Sequence, residues 1–214
     1  MIALLGGTFN PPHQGHILAG LDAINEIGVE KLGLLPCNVP PHKIAPETTT
    51  THRLAMLSLA SQQAEQLYIE PIEIELPAPN YTVKTLAYLR QRAPQTGICF
   101  LLGEDSLYNL PSWYEWQQLT EYCHIVVMKR PSDNGQLSAE LQAWLTPRLV
   151  TSPDKLHQMQ HGRVYITHSK DYSVSSTQLR SALGQDGQNN NAALNWLHPD
   201  VLHYIETHQL YRAG

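Results

Sequence analysis

Charged residues are scarce in this 214-residue chain, and their scarcity excludes several classes of protein. They make up 15% of the residues, against roughly 25% in an average globular protein. Hydrophobic residues make up 42%, enough for a substantial core, so a disordered chain kept in solution by its charge is excluded. The formal net charge of -5 provides no global attraction for DNA or RNA. Any nucleotide must therefore be held by a local site.

Cysteines and long apolar runs are also few. Cys37, Cys99 and Cys123 form no close pair and are odd in number, which is typical of a reduced intracellular protein. The short apolar run Met1–Leu5 follows no basic segment and ends at paired glycines, so it predicts no signal peptide. No run approaches the ~20 residues of a membrane span. We expect a cytoplasmic protein without nucleic-acid or membrane partners. The oligomeric state stays open, a homo-oligomer included.

The order of apolar segments predicts a single α/β domain over residues 1–214, doubly wound around a mainly parallel sheet. A strand at Met1–Leu5, a helix at His16–Glu26 and a strand at Lys31–Leu35 form a βαβ unit. Later strands are predicted at 98–102, 125–128 and 163–167, an extended segment at 67–76, and helices at 52–63, 81–92, 114–119, 137–145, 175–183 and 199–208. Ligands of such folds bind beyond the carboxyl ends of the strands.

The loop after the first strand carries the strongest chemical signal. It runs Gly6-Gly7-Thr8-Phe9-Asn10-Pro11-Pro12-His13-Gln14-Gly15-His16. Paired glycines allow a ligand close to the backbone, and the following helix N-terminus offers amides to an anion. His13 and His16 can both point at one phosphate. The spacing fits neither the dinucleotide-binding G-x-G-x-x-G motif nor a P-loop.

Plainer interpretations of these residues stay open at this point. The loop could be an ordinary Gly/Pro connection with two surface histidines, or part of a zinc site formed by His13, His16 and either Cys37 or His42. The hydroxyl cluster 175–177 could likewise be a helix N-cap, a second group of phosphate donors, or both.

The loop resembles the ATP-binding signature of the HxGH nucleotidyltransferases. Its two prolines before the first histidine are similar to those of the bacterial nicotinate-nucleotide adenylyltransferases of NAD biosynthesis. Asn10, where many relatives have Asp, and Val174, where Ile is commoner, are mild departures. The resemblance extends through further segments over most of the chain: Pro40–Lys43, Asn80–Leu86, Gly103–Leu107 with Leu110–Tyr114, and Val174–Arg180.

The resemblance implies a Rossmann-like nucleotidyltransferase fold and adenylyl transfer from ATP to nicotinate mononucleotide, giving nicotinic acid adenine dinucleotide and pyrophosphate. His16, His13 and Arg180 are the implied catalytic residues. A phosphate monoester has a second pKa of about 6, so the attacking oxygen needs no general base. Magnesium is expected to arrive on the ATP phosphates, with no metal ligand from the protein. The implied ATP-binding residues are Gly6, Gly7, Thr8, Phe9, His13, His16, Ser175, Ser176, Thr177 and Arg180.

The acceptor site is also implied by the resemblance. Trp113 would stack on the pyridine ring, while the amides of Tyr114 and Thr82 would hold its carboxylate. Asp105 would hold a ribose hydroxyl, and the monoester phosphate would meet Lys43, His42 and Arg53. The plainer roles are a core tryptophan, an N-cap aspartate for the turn at 106–110, and solvated basic residues.

Three alternative functions follow from the same residues. Nicotinamide mononucleotide could be the acceptor, because backbone amides that would read a carboxylate leave no sequence signature. Phosphopantetheine could also be the acceptor, but the Trp113-Tyr114 segment would then have no role. A non-catalytic nucleotide-binding module would have no need of His13, His16 and Arg180, which are all present.

Overall fold

Seven strands form one sheet in the computed structural model, which describes residues 1–38, 48–129, 136–168, 170, 172, 174–184 and 191–212. The sheet order is β3-β2-β1-β4-β5-β7-β6, and every pairing between these strands is parallel. The predicted doubly wound α/β fold is therefore confirmed. In chain order the strands are β1 (Ile2–Gly7), β2 (Leu32–Pro36), β3 (Leu67–Ile69), β4 (Ile98–Gly103), β5 (His124–Met128), β6 (Leu149–Val150) and β7 (Val164–Ile166).

Helices cover both faces of the sheet. None in the described ranges is long and apolar enough to cross a membrane. Two short 3-10 turns, Leu110–Ser112 and Trp116–Gln118, lie among them. The α-helices are α1 (Gln14–Glu26), α2 (Thr50–Ser61), α3 (Ile72–Glu75), α4 (Thr82–Arg92), α5 (Glu104–Tyr108), α6 (Leu119–Tyr122), α7 (Ala139–Leu145), α8 (Asp154–His157), α9 (Ser176–Gly184), α10 (Asn191–Leu194) and α11 (Pro199–Thr207).

The hydrophobic core has two halves because successive side chains of each strand point to opposite faces. In β1, Ala3 and Leu5 belong to the half covered by α1, α2, α8, α9 and α11, whereas Leu4 belongs to the half covered by α3 to α7. All three side chains are buried. A strand buried on both faces has the continuous apolar sequence seen at the start of this chain.

The sheet reverses its direction of growth between β1 and β4, which creates the crevice where ligands of such folds bind. From β1 the chain continues to β2 and β3 on one side, and then returns to place β4 on the other side. Gly6 and Gly7 end β1, and Gly103 ends β4. A Cβ at Gly6 would lie 2.7 Å from Cζ of Phe100, so the glycine allows this ring to pack against the β1 backbone.

Two sequence predictions were wrong in their details. The segment predicted as extended at 67–76 is a strand only at Leu67–Ile69, and the one-turn helix α3 follows it. The alternating residues of 72–75 have the pattern of a strand, but the Ile74 amide donates to the Pro71 carbonyl and closes a helical turn. The helix predicted at 114–119 is a 3-10 turn followed by α6. The short elements α5, α8, α10 and β6 span too few residues for periodicity to reveal them.

Candidate active site

The start of α1 presents the two histidines of the first loop as a stacked pair. Their ring centroids are 3.6 Å apart with an interplanar angle of 28°. His13 is buried at the N-cap, and the half-buried His16 has the Phe9 ring edge-on at 5.2 Å. The backbone N–H of His13 donates to Nδ1 of His16 at 3.3 Å. A neutral His16 therefore carries its proton on Nε2, where it can act as a hydrogen-bond donor.

The start of α9 packs directly against this loop. A Cβ at Gly15 would lie 2.6 Å from Cγ1 of Val174, so the glycine between the histidines permits the contact. Ser176 Oγ donates to the Pro11 carbonyl at 3.0 Å. Arg180 Nη1 donates to the Asn10 carbonyl at 2.8 Å, and its Nη2 donates to Thr177 Oγ1 at 3.3 Å. The structure thus brings together the predicted ATP-binding residues from both ends of the chain.

The N-cap interpretation of Ser175 is also correct. Its amide donates to Gln178 Oε1 at 2.9 Å, and the Gln178 amide donates to Ser175 Oγ at 3.2 Å. This reciprocal pair is a capping box, which fixes the helix start. Thr177 is exposed one residue into α9. The cluster is therefore a helix cap whose remaining amides can meet an anion.

Arg53 has a different role from the expected one. It was expected to face the monoester phosphate, but the side chain is only 1% exposed. Nη1 donates to the carbonyls of Thr8 at 2.9 Å and Cys37 at 2.8 Å, and Nη2 to the Asn38 carbonyl at 2.8 Å and Thr50 Oγ1 at 3.0 Å. All four Nη hydrogens are used, so none is left for a phosphate. Arg53 clamps the loop after β1 to the loop after β2.

A cavity of about 440 Å³ opens at the crevice between β1 and β4. Trp113 is half-buried in its wall, edge-on to Phe100 at 6.4 Å. The exposed Tyr114 ring lies tilted by 32° against the Tyr81 ring, with the centroids 4.5 Å apart. The indoles of Trp116 and Trp144 are both buried and lie 5.1 Å apart, whereas Trp113 is only partly buried and packs against the edge of the core. The predicted residues that line the cavity are Gly6, Gly7, Thr8, Thr82, Asp105, Trp113 and Tyr114.

The cavity wall places Asp105 and Thr82 at two helix N-termini. The N-cap alternative for Asp105 is wrong, because α5 begins at Glu104 after Gly103 and holds Asp105 exposed in its first turn. Thr82 is the first residue of α4, so its amide lies among those without a partner inside the helix. Both groups can therefore meet a ligand in the cavity.

Two residues that the sequence did not single out as site residues also line the cavity. Glu73, on α3, is buried and accepts a hydrogen bond from Thr85 Oγ1 at 3.0 Å. Asn80 donates through Nδ2 to the Leu76 carbonyl at 3.3 Å, while its buried Oδ1 has no hydrogen-bond partner. Asn80 begins the Asn80–Leu86 segment that carries part of the family resemblance. The apparent strand pattern of the residues around Glu73 concealed the place of Glu73 in the cavity wall.

The remaining candidate ligands are those named for the acceptor phosphate and for the alternative zinc site. His42 and Lys43 are outside the described residues. Cys37 lines the cavity, with Sγ 3.6 Å from Thr8 Oγ1. Across the described ranges, no three His, Cys, Asp or Glu side chains cluster so as to hold a metal ion. The zinc interpretation of His13, His16 and Cys37 therefore has no cluster to support it.

The amino-acid sequence is similar to those of known proteins over its whole length. The model of the cytidylyltransferase-like family matches residues 4–182. A probable nicotinate-nucleotide adenylyltransferase from Pseudoalteromonas atlantica is 41% identical over 213 residues, covering 100% of this chain and 95% of the relative. A protein of the same name from Aeromonas hydrophila is 36% identical, with coverages of 100% and 98%. The chain belongs to the nicotinate-nucleotide adenylyltransferase family.

Solved structures of nicotinate-nucleotide adenylyltransferases share the fold. Plasmodium falciparum nicotinic acid mononucleotide adenylyltransferase complexed with NaAD superposes with a TM-score of 0.75 at 19% identity, covering 98% of this chain and 96% of that one. The same protein complexed with APC gives a TM-score of 0.73 at 18% identity, with the same coverages. At identities of 18–19%, these structures show that the fold is shared.

The clamp formed by Arg53 predicts a loss of stability as well as of binding. Arg53→Lys leaves buried carbonyls unsatisfied, so we expect unfolding in urea to become easier by about 2 kcal/mol. The Michaelis constants for ATP and for the acceptor should both rise, because two loops lose their connection. The exposed Arg92, changed to Lys, is the matched control. Unchanged stability with a rise for the acceptor alone would identify Arg53 as a phosphate ligand instead.

Proposed function

We propose that this chain transfers the adenylyl group of ATP to nicotinate mononucleotide, releasing pyrophosphate and forming nicotinic acid adenine dinucleotide for NAD biosynthesis. The observation that carries the proposal is the junction at Gly7 and Thr8. These residues line the aromatic cavity and lead directly into the loop that bears His13 and His16. A phosphate attached to a ring in the cavity would lie beside an ATP held by the histidines. The names of the relatives and the NaAD complex of the Plasmodium protein support the same reaction.

The geometry supports a single in-line displacement. An oxygen of the acceptor phosphate forms a bond to the α-phosphorus of ATP, and the bond from that phosphorus to the pyrophosphate oxygen breaks. His16 would donate from Nε2 to the phosphate oxygens as their charge develops. Arg180 supplies a permanent positive charge near the same loop. One such donor contributes about 10²–10³ in rate.

Magnesium is proposed to enter with ATP. Carboxylates in the described part of the chain form no cluster able to hold the ion, and magnesium is commonly bound through substrate phosphates with few protein ligands. Bound in this way, it would neutralise charge on the departing pyrophosphate. His13, His16 and Arg180 would hold the phosphate oxygens that the ion leaves accessible.

The acceptor half of the site is proposed from the cavity wall. Trp113 would stack on the pyridine ring, and the amides of Thr82 and Tyr114 would hold its carboxylate. Asp105 would accept from a ribose hydroxyl. His42 and Lys43 would hold the monoester phosphate. The aromatic wall favours a flat ring over the flexible chain of phosphopantetheine.

The compartment is a proposal as well. All three cysteines lie in described ranges, and Cys99 and Cys123 are buried in the core, where burial raises the pKa of each thiol. None of the three is in a disulfide. Unoxidised thiols are the rule in the cytoplasm, where we propose that the protein acts.

The reaction is tested by measuring pyrophosphate release from MgATP with nicotinate or nicotinamide mononucleotide as the acceptor. We expect rapid release with the acid and much slower release with the amide. Release with the amide alone would keep the chemistry and overturn the proposed acceptor. Release with neither acceptor would refute the proposed function and leave phosphopantetheine, then a non-catalytic role, to be tested.

His16→Ala separates catalysis from binding. If His16 acts mainly on the transition state, turnover should fall by about 10²–10³ while ATP affinity changes little. Initial rates and direct ATP titration measure the two quantities. The exposed and unassigned His203, changed to Ala, provides the control. Equal losses of affinity and turnover would make His16 a binding residue.

Trp113→Ala tests the stacking platform. Loss of the ring should raise the Michaelis constant for the mononucleotide by about 5- to 150-fold, since a stacked base contributes roughly 1–3 kcal/mol. The Michaelis constant for ATP should change little. Trp113→Phe keeps an aromatic face and should recover most of the loss. A larger effect on ATP than on the mononucleotide would contradict the assignment.

A further inference from the structure

The wall of the aromatic cavity contains a carboxyl group that the transfer reaction does not use. Glu73 is 5% exposed and lines the same cavity as Thr82, Trp113 and Tyr114, the residues proposed to hold the nicotinate ring and its carboxylate. An ionised Glu73 and a bound nicotinate would carry like charges within one cavity of about 440 Å³. Like charges in a partly desolvated site repel strongly. The charge on Glu73 must therefore affect which acceptor fits.

Its immediate neighbours do not neutralise this carboxyl group. Thr85 Oγ1 donates to Oε1 at 3.0 Å. Asn80 is held by its Nδ2 bond to the Leu76 carbonyl, so its buried and unpartnered Oδ1 adds an acceptor to the wall. With Glu73 ionised, the side chains of Glu73 and Asn80 would present only acceptors to a ligand at these atoms. With Glu73 neutral, its carboxyl group would also present a proton that a carboxylate or a water molecule can accept.

The charged groups around Glu73 are few. Burial raises the pKa of Glu73 to about 7, and the Thr85 bond opposes part of that rise. Strand β2, which packs against α3, has no titratable residue. Helix α4 carries three charged residues. Lys84 Nζ lies over the Tyr81 ring, Arg90 donates to backbone carbonyls, and Arg92 lies over the Tyr88 ring. The other charged residue of α3 is the exposed Glu75. The other titratable residues of the cavity are Cys37, Tyr81, Asp105 and Tyr114.

We propose that Glu73 is a specificity-determining residue whose ionisation sets the choice of acceptor. In its neutral form the cavity accepts the carboxylate of nicotinate mononucleotide. In its ionised form the cavity repels that carboxylate and still admits the uncharged amide of nicotinamide mononucleotide. This inference rests on the proposed function, because it assigns the selectivity of the same site.

The experiment compares the two acceptors as a function of pH. The ratio of kcat/KM for the acid to kcat/KM for the amide cancels the titration of the shared monoester phosphate and of the histidines. Between pH 6 and 8.5, Glu73 changes from mostly neutral to mostly ionised. We expect the ratio to fall about tenfold in the wild type. In Glu73→Gln, which stays uncharged, it should change less than twofold.

Two further variants separate this effect from general damage. Glu75→Gln removes an exposed carboxylate from the same helix and should follow the wild type. Thr85→Val keeps the Glu73 carboxyl and removes the hydrogen bond that lowers its pKa, so the fall in the ratio should move to higher pH. Thermal midpoints of each variant establish that it is folded. Thr85→Val also serves as the test if Glu73→Gln does not fold.

The possible results distinguish this inference from the proposed function. An equal fall in the ratio in Glu73→Gln, a flat ratio in the wild type, or an unmoved profile in Thr85→Val would each overturn the role of Glu73. In those cases, activity with nicotinate mononucleotide at pH 6 would still support the proposed function. No activity of the wild type at pH 6 with this acceptor would contradict the proposed function itself.

Discussion

The active site depends on a loop whose buried carbonyl groups must find hydrogen-bond donors. Between β1 and α1 the backbone has neither ladder nor helix to satisfy it, and a buried carbonyl without a partner costs roughly 1–3 kcal/mol. Arg53 supplies donors to Thr8, Arg180 to Asn10, and Ser176 to Pro11. These bonds draw α2 and α9 onto the loop. The loop that we propose meets the phosphates is therefore fixed by the groups that satisfy its own backbone.

The C-terminal segment adds a further restraint to that loop. Tyr211 donates through its hydroxyl to Oδ1 of Asn10 at 2.5 Å, while the carbonyl of the same Asn10 accepts from Arg180. Asn10 is thus held through both its side chain and its backbone. An amide oxygen accepts this bond without bringing a negative charge close to the phosphates. Asn at this position supplies the acceptor without the negative charge that Asp would carry.

The sequence predicted the features that lie within short contiguous segments, and it did not predict the contacts between residues that are distant in the chain. The glycines, the histidines and the helix starts form contiguous motifs, and the βαβ order placed them beyond the carboxyl ends of the strands. The Arg53 clamp and the Asn10–Tyr211 bond join residues far apart in the chain, so no motif contains them. Glu73 was missed for another reason. Alternating Ile and Glu residues suit a strand, whereas the chain forms one helical turn that directs a carboxyl group into the cavity wall.

The two halves of the site differ in construction and in the kind of charge they use. The phosphate half has two helix N-termini and the stacked imidazoles, whose centroids lie 3.6 Å apart. Arg180, whose Nη1 donates to the Asn10 carbonyl, adds a guanidinium charge beside the same loop. The acceptor half is built from the short helices α3 and α5, and burial raises the pKa of its Glu73 carboxyl to about 7. The phosphate half thus relies on hydrogen-bond donors and a fixed guanidinium charge, whereas selection of the acceptor depends on the charge of one carboxyl group in the cavity wall.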